Sequence, residues 1–159
     1  MSEAGGAGSS PPPPAGRIEG DCHRLEMRVY FEDTDLSGLV YHANYLRYME
    51  RGRSDLLLCL GIDQRAAFEE GLGVYAVADL AIRYTAPAHL GELLIVETRC
   101  LAVGGATVSM RQDVLRDGAL LASGHVRAGF LGPDRRPRRQ PAAWVERYRA
   151  LMAAAKLPA

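Results

Sequence analysis

Apolar and polar residues alternate from Leu25 to Phe31, with Leu25, Met27, Val29 and Phe31 on one side and Glu26, Arg28 and Tyr30 on the other. A period of two marks a half-buried strand. Thr34 to Gly38 breaks the pattern with polar residues and glycine, which predicts a loop. From Tyr45 to Leu60 the spacing changes to three and four, through Tyr45, Tyr48, Met49, Leu56 and Leu60, with Gly52 on the same face. That spacing predicts an amphipathic helix. Asn44 is a candidate N-cap, and Gly61 supplies the stop. Leu56-Leu57-Leu58-Cys59-Leu60 is apolar nearly all round, so the second half of the helix is expected to be deeply buried. A short helical piece is expected over Ala66 to Glu70.

Four strands are predicted next, at Val74–Tyr84, Leu93–Val103, Thr107–Arg116 and Leu120–Leu131. Gly104-Gly105 and Asp117-Gly118 join the last three as hairpins, because both pairs supply the positive φ of tight turns. Val108, Met110, Gln112 and Val114 share one face, as in an antiparallel sheet packed on one side. Pro141 to Ala154 reads as a terminal helix with Trp144, Tyr148 and Leu151 on one side. The order of elements implies an α+β fold in which an antiparallel sheet packs on one long helix. Such a sheet leaves open edges, and pairing between two copies would close them, so a homodimer is expected.

Residues 1–21 are rich in Gly, Ser and Pro, with Pro11 to Pro14 in a row. That composition buries too little apolar surface to offset chain entropy, so an unstructured tail is expected there. Residues 22–155 form one domain that includes the C-terminal helix. Acidic and basic residues balance at 19 each, so the basic excess of a nucleic-acid binder is missing. No apolar run reaches the roughly 18 residues needed to span a bilayer. The first residues lack a basic segment followed by an apolar one, so a secretory signal is not expected and the cytoplasm is the expected location. Cys22, Cys59 and Cys100 are too few and too widely spaced for a disulfide framework and read as free thiols. His23, His89 and His125 show no metal-ligand spacing, and no metal or other cofactor is expected. No Gly-x-Ser-x-Gly elbow occurs, which argues against an α/β-hydrolase.

Polar chemistry concentrates between Glu32-Asp33-Thr34-Asp35 and His42-Ala43-Asn44, in the loop before the helix. Three carboxyl groups within four residues repel one another, which is expected to raise at least one pKa. The free N–H groups at the helix start are aimed at any negative charge that develops there. A carboxylate, a histidine and oriented amides are the parts of an acyl transfer to water. Acidic residues before a helix also cap it and complement its dipole, so the pattern alone leaves both readings open.

The run Val29-Tyr30-Phe31-Glu32-Asp33-Thr34-Asp35-Leu36-Ser37-Gly38-Leu39-Val40-Tyr41-His42-Ala43-Asn44-Tyr45 resembles the signature of 4-hydroxybenzoyl-CoA-thioesterase-type hotdog proteins. It is most similar to the YbgC-like branch associated with the Tol–Pal envelope system. Tyr48 to Leu57 and Arg83-Tyr84-Thr85-Ala86-Pro87-Ala88 resemble that branch too. The resemblance implies a hotdog fold, a sheet wrapped around one central helix, with active sites at a dimer interface and dimers often paired into tetramers. It implies acyl-CoA hydrolysis, with Asp35 as the catalytic carboxylate and His42 at the helix entrance, whose backbone N–H polarises the thioester carbonyl. Tyr41, Asn44, Tyr45, Glu50 and Phe31 are the expected substrate-binding positions. Relatives often carry Tyr where this chain has Phe31, which bears on rate and preference. Glu50 is a competing carboxylate, because a related hotdog branch uses a helical Glu; pairing with Arg47, Arg53 or Arg83 is its alternative. A short-chain or aromatic acyl-CoA is the expected substrate. An acyl carrier protein as the acyl donor, or a non-catalytic hotdog interaction module, are the alternatives. Arg135, Arg136, Arg138 and Arg139 form the densest basic run, either a solvated loop or a contact for CoA phosphates or for an anionic membrane surface.

Overall fold

The computed structural model describes residues 10–156. The elements run β1 (Arg17–Glu19), β2 (Cys22–Arg28), a 3-10 turn (Phe31–Asp33), α1 (Asn44–Cys59), α2 (Gln64–Glu69), β3 (Val74–Tyr84), β4 (Leu93–Val103), β5 (Thr107–Arg116), β6 (Ala119–Leu131) and α3 (Ala142–Ala153). All strand pairs are antiparallel, in the order β1-β2-β4-β5-β6-β3. This is the expected α+β arrangement, one sheet wrapped on one long helix. β3 lies at the far edge beside β6, so its chain neighbour β4 is not its sheet neighbour.

Close packing at Gly52 seats α1 on the sheet. A Cβ at this position would lie 2.9 Å from Val96 Cγ1, 3.1 Å from Gln112 Nε2 and 3.2 Å from Thr98 Oγ1. Only glycine lets the helix come this near β4 and β5. Around that point Tyr45, Tyr48 and Met49 pack with Leu94, Val96, Val114 and Leu121 in one cluster. Leu56 and Leu57 pack with Met110, Phe130, Trp144 and Tyr148 in a second. Each such side chain contributes about 1.5–3 kcal/mol when fully buried. The helix is less enclosed toward its end than expected: Leu58, Cys59 and Leu60 are half-buried, because only the face toward the sheet and α3 is covered.

Several local expectations are corrected. β2 stops at Arg28, and Phe31 sits in the 3-10 turn, because the Asp33 side chain accepts the Tyr30 N–H at 2.8 Å and curls the chain. Ala43, not Asn44, occupies the N-cap of α1. Asn44 instead spends its side chain on Asp33 Oδ1, at 2.9 Å. Asp117 and Gly118 have the expected positive φ, 50° and 79°, whereas neither Gly104 nor Gly105 does. That hairpin turns over three residues, 104 to 106, closed by Gly104 N–H on Thr107 O at 2.8 Å.

The largest correction concerns the N-terminal stretch. Residues 1–9 lie outside the described residues, but Arg17–Glu19 pairs with β2 as an edge strand. A buried carboxylate holds this arm. Asp55, on α1, accepts the N–H groups of Ala15 at 2.7 Å and Gly16 at 2.8 Å, and pairs with His23 Nε2 at 2.7 Å. His23 is fully buried beneath the arm. Burial pushes the Asp55 carboxyl up, but the Ala15 amide, His23 and the Gly16 amide outweigh it and hold it below its ordinary value.

Asp55→Ala is therefore expected to cost about 2–3 kcal/mol in urea unfolding, since it strands buried donors. It should also expose the Ala15 and Gly16 amides to hydrogen exchange. The depressed carboxyl makes this contribution complete above the unfolded value of about 3.9, and it is lost as pH falls through the lower folded value. Equal stability of the two proteins at neutral pH would contradict the latch.

Candidate active site

The loop between β2 and α1 is a closed ring of backbone hydrogen bonds. Thr34 and Val40 form an isolated bridge, and Asp35 N–H donates to Leu39 O at 3.0 Å. Gly38, at φ 80°, donates back to Asp35 O at 3.0 Å. Tyr41 N–H donates to Asp33 O at 2.9 Å, and Val40 N–H to Ala88 O at 2.9 Å. The acidic cluster therefore divides. Asp33 is buried and anchors the loop to Tyr30 and Asn44, while Glu32 and Asp35 face outward.

Asp35 stands at the loop tip with donors around it. The Ser37 N–H donates to Asp35 Oδ1 at 2.8 Å, and the Ser37 hydroxyl donates to the same oxygen. The hydroxyl, then the amide, hold the Asp35 carboxyl below its ordinary range against desolvation, with a lesser contribution from the nearby His42. The expected upward push from neighbouring carboxyl groups is absent at Asp35, because Asp33 is turned into the protein and local donors dominate. Asp35 is ionised at neutral pH. Phe31, Thr34, Leu36, Gly38 and Leu90 line an open basin beside it. Its apolar walls are bare: Phe31 is 82% exposed and Leu36 fully so.

His42 lies just before α1, next to this loop. Its side chain is exposed, and among the described residues its backbone N–H and that of Ala43 have no hydrogen-bond acceptor. Tyr84, the last residue of β3, donates its hydroxyl to the His42 carbonyl at 2.6 Å. Ring contacts run from Tyr41 to His42 (centroids 4.5 Å apart) and from Tyr45 edge-on to Tyr84 (5.4 Å). An ionised carboxylate at the loop tip and amides without acceptors at the start of α1 thus lie at the two ends of one short segment, and the His42 side chain is near enough to Asp35 to lower its pKa.

The expected site residues do not all converge here. Phe31 shares the basin with Asp35, and Tyr41 and His42 form the helix entrance. Asn44 and Tyr45 lie buried behind that entrance as support, not as exposed contacts. Glu50 is elsewhere. It is ion-paired with Arg53, accepts the Ser54 hydroxyl at 3.2 Å, and lines a separate cavity with Arg53, Leu57, Tyr75, Val77 and Tyr148. Arg138 is committed to the Gly71 and Leu72 carbonyls at 3.2 and 2.9 Å. Ser37 and Tyr84 were not singled out from sequence. Ser37 lies two residues past Asp35, the spacing of an Asx turn; Tyr84 lies in the 83–88 run that carries the resemblance, but nothing near it in the chain marks its hydroxyl for the His42 carbonyl. Contrary to the spacing argument, His23 has metal-ligating company, since its ligand atom and those of Asp55 and Cys59 lie within 4.8 Å of one another. The Asp55 oxygens there are already occupied by the N-terminal arm and His23.

The Thioesterase superfamily model matches residues 37–123, beginning two residues past Asp35. The chain belongs to that superfamily. It is 42% identical over 101 residues to an acyl-CoA thioesterase YbgC of Haemophilus influenzae, covering 64% of this chain and 74% of that protein. It is 30% identical over 128 residues to the acyl-CoA thioester hydrolase YbgC of Escherichia coli O6:H1, covering 79% and 95% of the two chains. A probable thioesterase from Bartonella henselae superposes with a TM-score of 0.72 at 34% identity, covering 76% of this chain and 99% of that one. The fold is the hotdog fold, and the protein is a thioester hydrolase of the YbgC-like kind. No helix among the described residues is long and apolar enough to cross a membrane.

Because the Ser37 hydroxyl contributes most to the low Asp35 pKa, Ser37→Ala should move the Asp35 midpoint upward in a carboxyl-carbon NMR titration. An unchanged midpoint would contradict this account of the loop.

Proposed function

We propose that this protein hydrolyses acyl-CoA thioesters, with Asp35 as the reacting carboxylate and the His42 N–H as the oxyanion donor. What supports the reading is an ionised Asp35 at the tip of the loop leading into α1, with the His42 side chain near enough to lower its pKa and the His42 and Ala43 N–H groups without acceptors among the described residues. The thioester carbonyl oxygen takes the His42 N–H, where the helix dipole favours the negative charge that develops on it. Asp35 then attacks the carbonyl carbon, the C–S bond breaks, and CoA leaves as thiolate. Water cleaves the resulting mixed anhydride to free acid and regenerates the carboxylate. In the alternative form of the same step, Asp35 takes a proton from the attacking water. His42 orients the substrate or the carboxylate through its ring.

The open basin with the apolar walls Phe31, Leu36 and Leu90 suits a short-chain or aromatic acyl group. Phe31 offers that group a ring face and no hydroxyl, unlike the Tyr of many relatives. The basin is open on a single chain, and β3 has one edge with no strand beside it among the described residues. Val74, Val77 and Tyr84 are exposed along that strand. A second copy pairing along β3 would extend the sheet and cover apolar surface, so the working form is a homodimer, with pairing of dimers into tetramers as a further step.

Asp35→Asn should reduce thiol release by at least about a hundredfold, the scale of a lost acid–base or nucleophilic group. Wild-type kcat/KM should stay level through neutral pH and fall only in acid, as Asp35 protonates below the ordinary carboxylate range. Near-normal turnover of Asp35→Asn would overturn the assignment. In sedimentation the wild type should run as a dimer or larger, and Val77→Arg, which puts charge on the open edge, should shift it toward monomer and lower activity. A wild-type monomer at micromolar concentration would contradict the assembly.

A further inference from the structure

We infer that the Tyr84 hydroxyl is a positioning group for the oxyanion amide, holding the backbone of His42 so that its N–H faces the thioester carbonyl. This rests on the hydrolase reading above and extends it to a residue outside the catalytic loop. The His42 N–H belongs to the Tyr41–His42 peptide. On one side, the carbonyl of that peptide accepts the Asn44 N–H at 2.8 Å. A trans peptide points its N–H and its carbonyl in opposite directions, so this bond turns the His42 N–H away from the helix body.

On the other side, the next carbonyl, that of His42, falls outside the helix ladder. The backbone bond at the start of α1 runs from Leu46 N–H to Ala43 O, at 3.2 Å, one residue later. Among the described residues the His42 carbonyl has one partner, Tyr84 Oη at 2.6 Å. Two hydrogen bonds therefore bracket His42, and removing the second leaves the turn closed by Tyr41 O and Asn44 N–H as the one hydrogen-bonded constraint on its backbone torsions. An exposed residue ahead of a helix has little else to fix it.

The donor is itself held firmly. Tyr84 pairs with Ala122 of β6, and the Thr85 and Ala86 N–H groups both donate to Leu121 O, at 2.7 and 3.1 Å. Its ring packs edge-on against buried Tyr45 and, at 6.4 Å, against His42. Burial raises the phenol pKa, so the hydroxyl stays protonated as a donor through neutral pH. Tyr84 also terminates β3, the strand whose other edge is open. The amide that receives negative charge is thus tied to the strand along which a second copy is proposed to pair. Ordering of that strand passes through one hydroxyl to the reacting centre.

Tyr84→Phe keeps the ring and removes the bond. With benzoyl-CoA or butanoyl-CoA, kcat should fall about ten- to hundredfold while KM changes by less than about threefold, the pattern of an oxyanion donor left misplaced. Replacement of Tyr84 by 3-fluorotyrosine, a stronger donor of the same shape, should restore kcat to at least the wild-type value. In an Asp35→Asn background, the carbonyl stretch of bound benzoyl-CoA labelled with 13C at the thioester carbon should shift to lower frequency on binding. Tyr84→Phe should remove most of that shift, a readout that a purely packing role would leave alone. A kcat within twofold of wild type in Tyr84→Phe, or an unaltered carbonyl shift, overturns the assignment. If Asp35→Asn abolishes turnover while Tyr84→Phe is neutral, the hydrolase reading stands and this inference alone fails. If the wild type turns over neither thioester, both fail together.

Discussion

The structure depends on the grip of one buried acidic side chain, Asp33, on both ends of the loop that precedes α1. Its oxygens take the Tyr30 N–H and the Asn44 side chain, while its own carbonyl takes the Tyr41 N–H. These bonds draw residues 30, 41 and 44 together and force the chain between them into a compact loop. Buried polar groups must be paired, so the arrangement is strongly specified once Asp33 is inside. Asp35 is presented outward, and His42 is left at the entrance of α1, as consequences of that grip.

Two carboxyl groups two residues apart thus take opposite roles through their surroundings. Asp33 is enclosed and used for architecture. Asp35 is exposed, and Ser37 and His42 stabilise its charge. A carboxylate kept ionised by local donors is available at neutral pH without any neighbouring base. The same logic governs α1 further along, where Asp55 holds the N-terminal arm and Gly52 lets the helix meet the sheet. One helix therefore carries an anchor for the loop, a seat on the sheet and a latch for the arm.

Much of this was legible in the sequence because it is periodic. The spacing from Tyr45 to Leu60 located the buried helix, and alternation located β3 to β6 to within a residue or so. The loop signature pointed to Asp35 and His42 through resemblance, since acidic residues before a helix are otherwise ambiguous. What escaped reading depends on partners far away in the chain. β1 pairs with β2 next to a point where Ala15 and Gly16 meet Asp55, some 40 residues later. Tyr84 matters through a carbonyl 42 residues earlier. Phe31 continues the strand alternation yet leaves the sheet, because Asp33 curls the backbone there. Glu50 has the chemistry of a candidate acid, but its place on α1 gives it to Arg53 and a different cavity.

The central claim is geometric, and a crystal structure of the Asp35→Asn variant soaked with an intact acyl-CoA tests it most directly. The account predicts the thioester oxygen about 2.7–3.1 Å from the His42 N–H. It also predicts the carbonyl carbon about 3–3.5 Å from the side chain at position 35. A thioester seated instead in the cavity of Glu50 and Arg53, with the loop tip and the His42 amide untouched, would contradict it.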